Sequence, residues 1–377
     1  MKKIVLLYAK FGGGHYSAAN SIKNYLEKIY WWKYEVKIID FFSYMSKIIN
    51  KTVTSTYLES LKYFPRIYGR IYKYSNYGRL SKVVKHTFDI LSFRMKSLLL
   101  KEKPDMVVSC HPYSSHLCNN VKKKNKLKFS LATIITDFAI HEQRVYWHEN
   151  TDCIFVSHEK MKDDLIEKWV DENKIYVTWI PISDRFLNSF DPIEIKKDFW
   201  LDEEKKTILF FGWWEFGITN TTILKILKKF IDYWETIQIV IVSWKNERLQ
   251  LKFEKLVKKT KSEKFVKVLG FTDKVPELMS ISDLIVSKPG WLTTSESLAA
   301  GLPMLLINPI PWQEVDNAEF LEKEWVWLSL TKNNYEEVIE NIFSNPDILN
   351  NMRKNAKAIS KINSTWKICD ILNKILC

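Results

Sequence analysis

Short apolar, β-branched runs alternate with stretches of helical length along most of the chain. In the first half, Ile4–Ala9, Val36–Ile39, Met106–Ser109, Leu131–Thr136, Cys153–Val156 and Ile175–Thr178 read as strands, with helices expected after several of them, the first over Tyr16–Ile29. The rhythm breaks at Ile180-Pro181-Ile182-Ser183-Asp184-Arg185-Phe186. It restarts with Thr207–Phe211, Ile237–Val242, Phe265–Val268, Leu284–Ser287 and Met304–Ile307, separated by helix-length stretches such as Thr219–Tyr233. Strands alternating with helices predict parallel sheets built from β-α units. The expected fold class is therefore α/β: two doubly wound Rossmann-like domains, 1–185 and 186–377, facing across a cleft that takes the ligand. The last stretch, 347–377, reads as helical and able to pack back on the N-terminal domain. No repeat of solenoid period and no low-complexity linker interrupts the pattern.

Composition narrows the class. Of 377 residues, 46% are hydrophobic and 27% charged, as in a soluble globular protein rather than a disordered one. No apolar run approaches the roughly eighteen residues that a bilayer span needs. Met1-Lys2-Lys3 followed by an apolar stretch imitates a signal peptide, but that stretch runs into Gly12-Gly13-Gly14-His15 instead of a small-residue cleavage site, so it reads as the first core strand. The five cysteines form no C-x-x-C pair and no even framework, which fits a reducing cytoplasm and argues against a thiolate metal site. No metal and no cofactor are expected.

The net charge of +13 is concentrated. Between Tyr44 and Lys103, thirteen lysines and arginines stand against Glu59, Asp89 and Glu102. Tyr57, Tyr63, Phe64, Tyr68, Tyr72, Tyr74 and Tyr77 are interleaved there with Lys62, Arg66, Arg70 and Lys73. Basic stems lying along apolar surface beside interfacial tyrosines are how a peripheral protein grips an anionic membrane surface. Nucleic acid and a plain solvated helix face are the competing readings; the aromatic interleaving favours lipid. The expected location is the cytoplasmic face of the cell membrane, peripheral and without a transmembrane helix.

Tryptophan and glycine are out of proportion. Fifteen tryptophans accompany only ten glycines, although glycine usually makes up roughly 7% of residues. The tryptophans stand in turns, as in Gly212-Trp213-Trp214, Lys288-Pro289-Gly290-Trp291, Pro311-Trp312-Gln313 and Trp31-Trp32-Lys33. Two readings are open: a gene whose UGA codons mean glycine but were written as tryptophan, or genuine tryptophans in an aromatic-rich chain.

Two stretches carry chemistry. Gly12-Gly13-Gly14-His15 follows the first strand and opens a helix, so a substrate can approach backbone N–H groups there while His15 is aimed at it; a structural histidine is the plainer reading. The second stretch runs from Ser287-Lys288-Pro289-Gly290-Trp291-Leu292-Thr293-Thr294-Ser295-Glu296 to Asn308-Pro309-Ile310-Pro311-Trp312-Gln313-Glu314-Val315-Asp316-Asn317. With its tryptophans taken as glycine, it resembles the nucleotide-sugar domain of the GT-B glycosyltransferases of the monogalactosyl- and glucosyl-diacylglycerol synthase family. Gly12-Gly13-Gly14-His15-Tyr16-Ser17-Ala18, Thr136-Asp137-Phe138 with His141, and Val177-Thr178-Trp179-Ile180-Pro181-Ile182 resemble the same branch. The transferase that adds N-acetylglucosamine to the polyprenyl-linked peptidoglycan precursor is a more distant cousin.

The resemblance implies an inverting transferase moving glucose or galactose from UDP-glucose or UDP-galactose, as co-substrate, to diacylglycerol. Glu296, expected on the first turn of its helix, would accept both ribose hydroxyls. N–H groups around Thr293, Thr294 and Ser295, with those after Gly212, would face the diphosphate without a metal. Gly212, Trp213, Trp214, Lys288 and Gly290 complete that expected donor site. Gln313 and Glu314 align with family positions that hydrogen-bond the sugar, and Asn317 extends the set; each is equally an ordinary helix-start residue. His15 is the first-choice general base, His111 the second and His141 the third, with Asp137 orienting a histidine or the acceptor hydroxyl, or capping a strand. Gly13, Gly14, Lys62, Tyr63, Arg66, Tyr68, Arg70 and Lys73 are expected on the acceptor and membrane side. A polyprenyl-linked acceptor, or a non-catalytic membrane-bound nucleotide-sugar sensor, are the alternatives. Genuine indoles at 213, 214, 291 and 312 would obstruct donor binding.

Overall fold

In a computed structural model, which describes residues 1–9, 13–45, 92–140, 148–212, 220–307 and 325–377, the chain forms two compact units. One comprises Met1–Asp184 with Lys361–Cys377, the other Arg185–Ser360. The segment from Tyr44 to Lys103 that carries the excess charge lies largely at 46–91, outside the described residues.

The first unit is a six-stranded parallel sheet in the order β2-β1-β3-β4-β5-β6: β1 Lys2–Tyr8, β2 Tyr34–Asp40, β3 Met106–Ser109, β4 Ser130–Ile134, β5 Cys153–Val156 and β6 Ile175–Val177. Leu6 lies in register with Ile38 on one side and Val108 on the other. Alternate residues of a strand face opposite sides, so this apolar sheet needs two helical layers. Ile4, Leu6 and Val108 pack with Ala19, Ile22 and Leu26 of the helix Gly14–Ile29 and with Ile368, Cys369 and Leu372 of the helix Ser364–Leu376. Val5, Leu7 and Val107 face Met95, Leu98 and Leu99 of the helical stretch 92–102 and Leu117 and Val121 of the helix Pro112–Asn125.

The second unit has the order β12-β11-β10-β7-β8-β9, again all parallel: β7 Lys206–Phe211, β8 Ile237–Val242, β9 Val266–Leu269, β10 Leu284–Ser287, β11 Met304–Ile307 and β12 Trp327–Leu330. Its core joins Phe210, Ile239 and Val286 to Phe230 and Phe253 from the helices Asn220–Ile231 and Glu247–Thr260. The strand β12 has no counterpart in the hydrophobic pattern, because Trp-Leu-Ser-Leu at a sheet edge is short and mostly half-buried.

The C-terminal stretch 347–377 does not act as one piece. Helix Pro346–Ile359 stays with the second unit, where Leu349 and Met352 enter the core and Arg353 reaches Asp283 at 3.4 Å. Only Lys361–Cys377 joins the first unit, where Thr365 Oγ1 donates to the Ile182 carbonyl at 2.6 Å and Tyr34 Oη to Asn373 Oδ1 at 2.6 Å. Burial pushes the Cys110 thiol up to about 12 and raises those of Cys118, Cys153 and Cys369, which keeps these thiols protonated. Among the described residues no helix is long and apolar enough to cross a membrane.

Each strand order has one point where successive connections leave in opposite directions. In the first sheet it lies between β1 and β3, in the second between β7 and β10. Loops diverge there and open the carboxyl edge of the sheet to a ligand.

Candidate functional site

At the opening of the first sheet, β1 leads into the helix Gly14–Ile29 and β3 into the helix Pro112–Asn125. Gly13 is the N-cap of the first helix, and a side chain built there would meet nothing within 4 Å among the described residues. His15 follows, buried, with Nδ1 2.8 Å from the Cys110 carbonyl and 3.2 Å from Thr136 Oγ1. A carbonyl only accepts, so the proton sits on Nδ1 and the lone pair on Nε2. That is the tautomer a general base needs at Nε2.

His111 is 4.8 Å from His15, ring centre to ring centre, in an edge-on arrangement at 75°. Its role is the reverse. As N-cap of its helix, its Nδ1 accepts the Tyr113 amide at 3.3 Å. Nδ1 therefore carries the lone pair and Nε2 the proton, which makes neutral His111 a hydrogen-bond donor and removes it as a second-choice base. Asp137 is buried one residue beyond Thr136, and its carbonyl accepts from Ser157 Oγ at 3.1 Å. His141 lies outside the described residues.

At the opening of the second sheet, Gly212 ends β7. Its N–H is already given to the Val242 carbonyl at 2.8 Å, and a Cβ would stand 2.8 Å from Phe253 Cε2. Gly212 therefore supplies close packing of the turn against the helix Glu247–Thr260; the N–H groups after it, which were expected to face the diphosphate, lie outside the described residues. After β10, Gly290 caps the helix Trp291–Ala299 in extended conformation. Thr294 N–H donates to the Gly290 carbonyl at 2.9 Å, so the amides left for an anion are earlier than expected, at Leu292 and Thr293. Because the helix begins at Trp291, Glu296 lies on its second turn rather than its first. It keeps some solvent exposure, yet the protein around it pushes its carboxyl up to about 8.

Three buried hydroxyls around this edge have no hydrogen-bond partner among the described residues: Ser243 after β8, Ser287 at the end of β10 and Thr294 in the first turn of the helix. A buried polar atom without a partner costs stability, and all three stand where a doubly wound sheet takes its ligand. Ser243 was not among the sequence candidates; its signal is a small polar residue directly after an apolar strand. Thr136 and the Cys110 carbonyl stood within stretches singled out in the sequence, but without a role.

Comparison with known proteins bears on both openings. Residues 15–182 match the monogalactosyldiacylglycerol synthase family and residues 207–367 the glycosyltransferase family 28 C-terminal domain. A processive diacylglycerol beta-glucosyltransferase of Staphylococcus epidermidis is 31% identical over 379 residues, spanning 99% of this chain and 93% of that relative. The chain belongs to this diacylglycerol glycosyltransferase family. A Staphylococcus haemolyticus protein of the same description is 30% identical over 378 residues, spanning 99% and 93% of the two chains. The structure of Staphylococcus aureus MnaA with UDP has a TM-score of 0.67 at 15% identity, over 100% of this chain and 97% of that one. Acinetobacter baumannii MurG has a TM-score of 0.64 at 13% identity, over 99% and 100%. These likenesses show the fold, a two-domain GT-B arrangement of parallel sheets.

In this diacylglycerol glycosyltransferase family member the structure brings together His15, His111 and Thr136 in one unit, and Gly290, Thr293, Thr294, Ser295 and Glu296 in the other. Ser295 Oγ donates to the Trp291 carbonyl at 2.8 Å, which ties it to its own helix. Lys288 adjoins the turn, its carbonyl accepting the Gly290 N–H at 2.8 Å. Trp213, Trp214, Gln313, Glu314 and Asn317, with Lys62, Tyr63, Arg66, Tyr68, Arg70 and Lys73, lie outside the described residues.

Proposed function

We propose that this chain transfers glucose or galactose from its UDP conjugate to the hydroxyl of diacylglycerol, with inversion at the anomeric carbon. The observation that carries the reading is His15, whose Nδ1 is committed to the Cys110 carbonyl, in a chain whose curated relatives are diacylglycerol beta-glucosyltransferases. His15 Nε2 takes the proton of the acceptor hydroxyl as it attacks from the face opposite the leaving diphosphate, and one displacement inverts the centre. Charge grows on the diphosphate as UDP leaves. The helix start at Leu292 and Thr293 and the hydroxyls of Ser287 and Thr294 support its stabilisation without a metal or other cofactor. Glu296 holds the ribose hydroxyls once ionised.

The basic, tyrosine-rich segment is read as the peripheral dock on the anionic cytoplasmic face of the membrane, next to the acceptor's source. Sugar transfer from labelled UDP-glucose and UDP-galactose to diacylglycerol in anionic vesicles tests the activity. A labelled monohexosyl lipid is expected. Label on a polyprenyl-linked acceptor only, or UDP binding without turnover, would replace this reading by the precursor transferase or the sensor. Changing Lys62, Arg66, Arg70 and Lys73 to serine is expected to weaken vesicle binding most at low salt, and unchanged cosedimentation would remove the docking role.

A further inference from the structure

Nine described residues hold a φ in the left-handed region: Gly301, three lysines and five tryptophans. For any residue with a Cβ that conformation crowds the following carbonyl, and for a bulky side chain it is an outlier. The lysines have a physical reason to be there. Lys103, Lys126 and Lys261 each end a helix, where a cation meets the negative end of the backbone dipole. Tryptophan has none, yet it supplies five of the eight non-glycine cases while making up fifteen of 377 residues.

The local geometry identifies what the backbone calls for. After the helix Trp291–Ala299, Gly301 at φ 62 donates its N–H to the Leu298 carbonyl at 3.0 Å, and Leu302 donates to Ser297 at 2.8 Å. This pair of bonds closes a helix end around one left-handed residue, most often glycine. The same pair recurs three times, once at Lys261, where Lys261 donates to Lys258 at 3.2 Å and Ser262 to Val257 at 3.0 Å, and twice at tryptophans. Trp169, at φ 66, donates to Ile166 at 2.9 Å while Val170 donates to Leu165 at 3.1 Å. Trp200, at φ 51, donates to Lys197 at 3.0 Å while Leu201 donates to Lys196 at 2.8 Å. The residues that follow, Val170, Leu201, Ser262 and Leu302, are all buried. No packing accounts for these two indoles, since Trp169 and Trp200 are 91% and 81% exposed. Trp325, at φ 52, is exposed as well; Trp179, at φ 74 after β6, is buried against Phe138 at 5.2 Å, and Trp244, at φ 53 in the turn leaving β8, lies 5.7 Å from the Phe211 ring, so at these two the case rests on φ alone.

We propose that the folded protein carries glycine at positions 169, 179, 200, 244 and 325, because the codon written there as tryptophan is translated as glycine in the source organism. The inference stands on backbone geometry and not on the proposed transfer. Its functional consequence lies at the donor turns: the same codon at 213, 214, 291 and 312 would give a backbone without Cβ atoms, as close approach to a nucleoside diphosphate requires.

Peptide mass spectrometry on the protein isolated from its native cells tests the identity. Glycine is expected in the peptides spanning 169, 200 and 325; tryptophan in them would overturn the proposal. A second experiment tests the geometry in a host that inserts tryptophan. Trp169→Gly and Trp200→Gly are each expected to lower the unfolding equilibrium constant by about tenfold. Trp169→Ala and Trp200→Ala keep a Cβ and are expected to give little of that gain. An equal gain from alanine would trace the effect to loss of an exposed indole and overturn the backbone argument.

Discussion

The two sheet openings present different parts of the chain. In the first unit the reactive groups are side chains: His15 and His111 lie edge to edge, and the hydrogen-bond partners of their Nδ1 atoms give them opposite tautomers. In the second, backbone amides at a helix start, three buried hydroxyls without partners among the described residues and one carboxyl held above its ordinary range stand around the turn. Under the proposed transfer, the difference follows from what each ligand presents. A hydroxyl that must lose a proton needs a base of fixed tautomer, whereas a diphosphate needs many preorganised dipoles. Damage to the first opening should therefore appear in turnover, and damage to the second in donor affinity.

The largest effect is expected from His15→Ala, which should lower kcat by roughly a hundredfold or more and leave UDP affinity, measured by calorimetry, close to that of the parent. A fully active variant would move the base elsewhere and dissolve the contrast. Glu296→Gln comes next, with UDP affinity falling by about tenfold, as for loss of a charge-assisted hydrogen bond. Its pH dependence sharpens the point. Burial raises the Glu296 pKa to about 8, so the folded chain holds a proton there that the unfolded chain releases near 4.5. Stability should fall as pH rises through that window, while UDP affinity climbs toward pH 8 as the carboxylate forms. Denaturation and binding curves that are equally steep in Glu296→Gln would place the titration on another group.

Thr136→Val is a smaller cut at the first opening. It removes the hydroxyl 3.2 Å from His15 Nδ1 at nearly constant volume. Turnover is expected to drop roughly fivefold with KM unchanged, and the acidic limb of kcat/KM to move to lower pH, because an oxygen that favours the imidazolium is gone. Thr136→Ser should restore both; a variant altered only in stability would make Thr136 a packing residue. Gly212→Ala has the smallest expected effect on chemistry. Its Cβ meets the buried Phe253 ring at 2.8 Å, which should cost about 1–3 kcal/mol of stability by denaturant titration with UDP affinity per folded molecule little changed.

Most strands were legible in the apolar runs. β3, β5, β8, β10 and β11 fall where the pattern puts them, and β1, β2, β4, β6, β7 and β9 differ by a residue or two at their ends. The pattern missed β12, which is short and at an edge, and it could not divide 347–377, because both of its helices are amphipathic and only packing tells which sheet each one serves. At the candidate site, His15 was singled out by the strand-turn-helix context of its motif, and Gly290, Thr293 and Glu296 by the family resemblance. Thr136 acquired a role only because β4 lies beside β3, which brings it to a histidine 121 residues earlier in the chain. At Gly212 the structure adds the physical reason for an absent Cβ, the Phe253 ring 2.8 Å from where it would stand.

The sequence by itself determined the β-α rhythm, the break near residue 185 and the family, since periodicity and motif spacing are local properties of the chain. It also held the imbalance of tryptophan and glycine. Tertiary structure alone decided where connections change direction in each sheet, which imidazole nitrogen holds its proton, how far the Glu296 carboxyl is raised, and at which tryptophans φ turns positive. Those properties depend on atoms that chain folding brings within a few ångströms from distant positions, and on backbone angles that packing imposes whatever residue is written there.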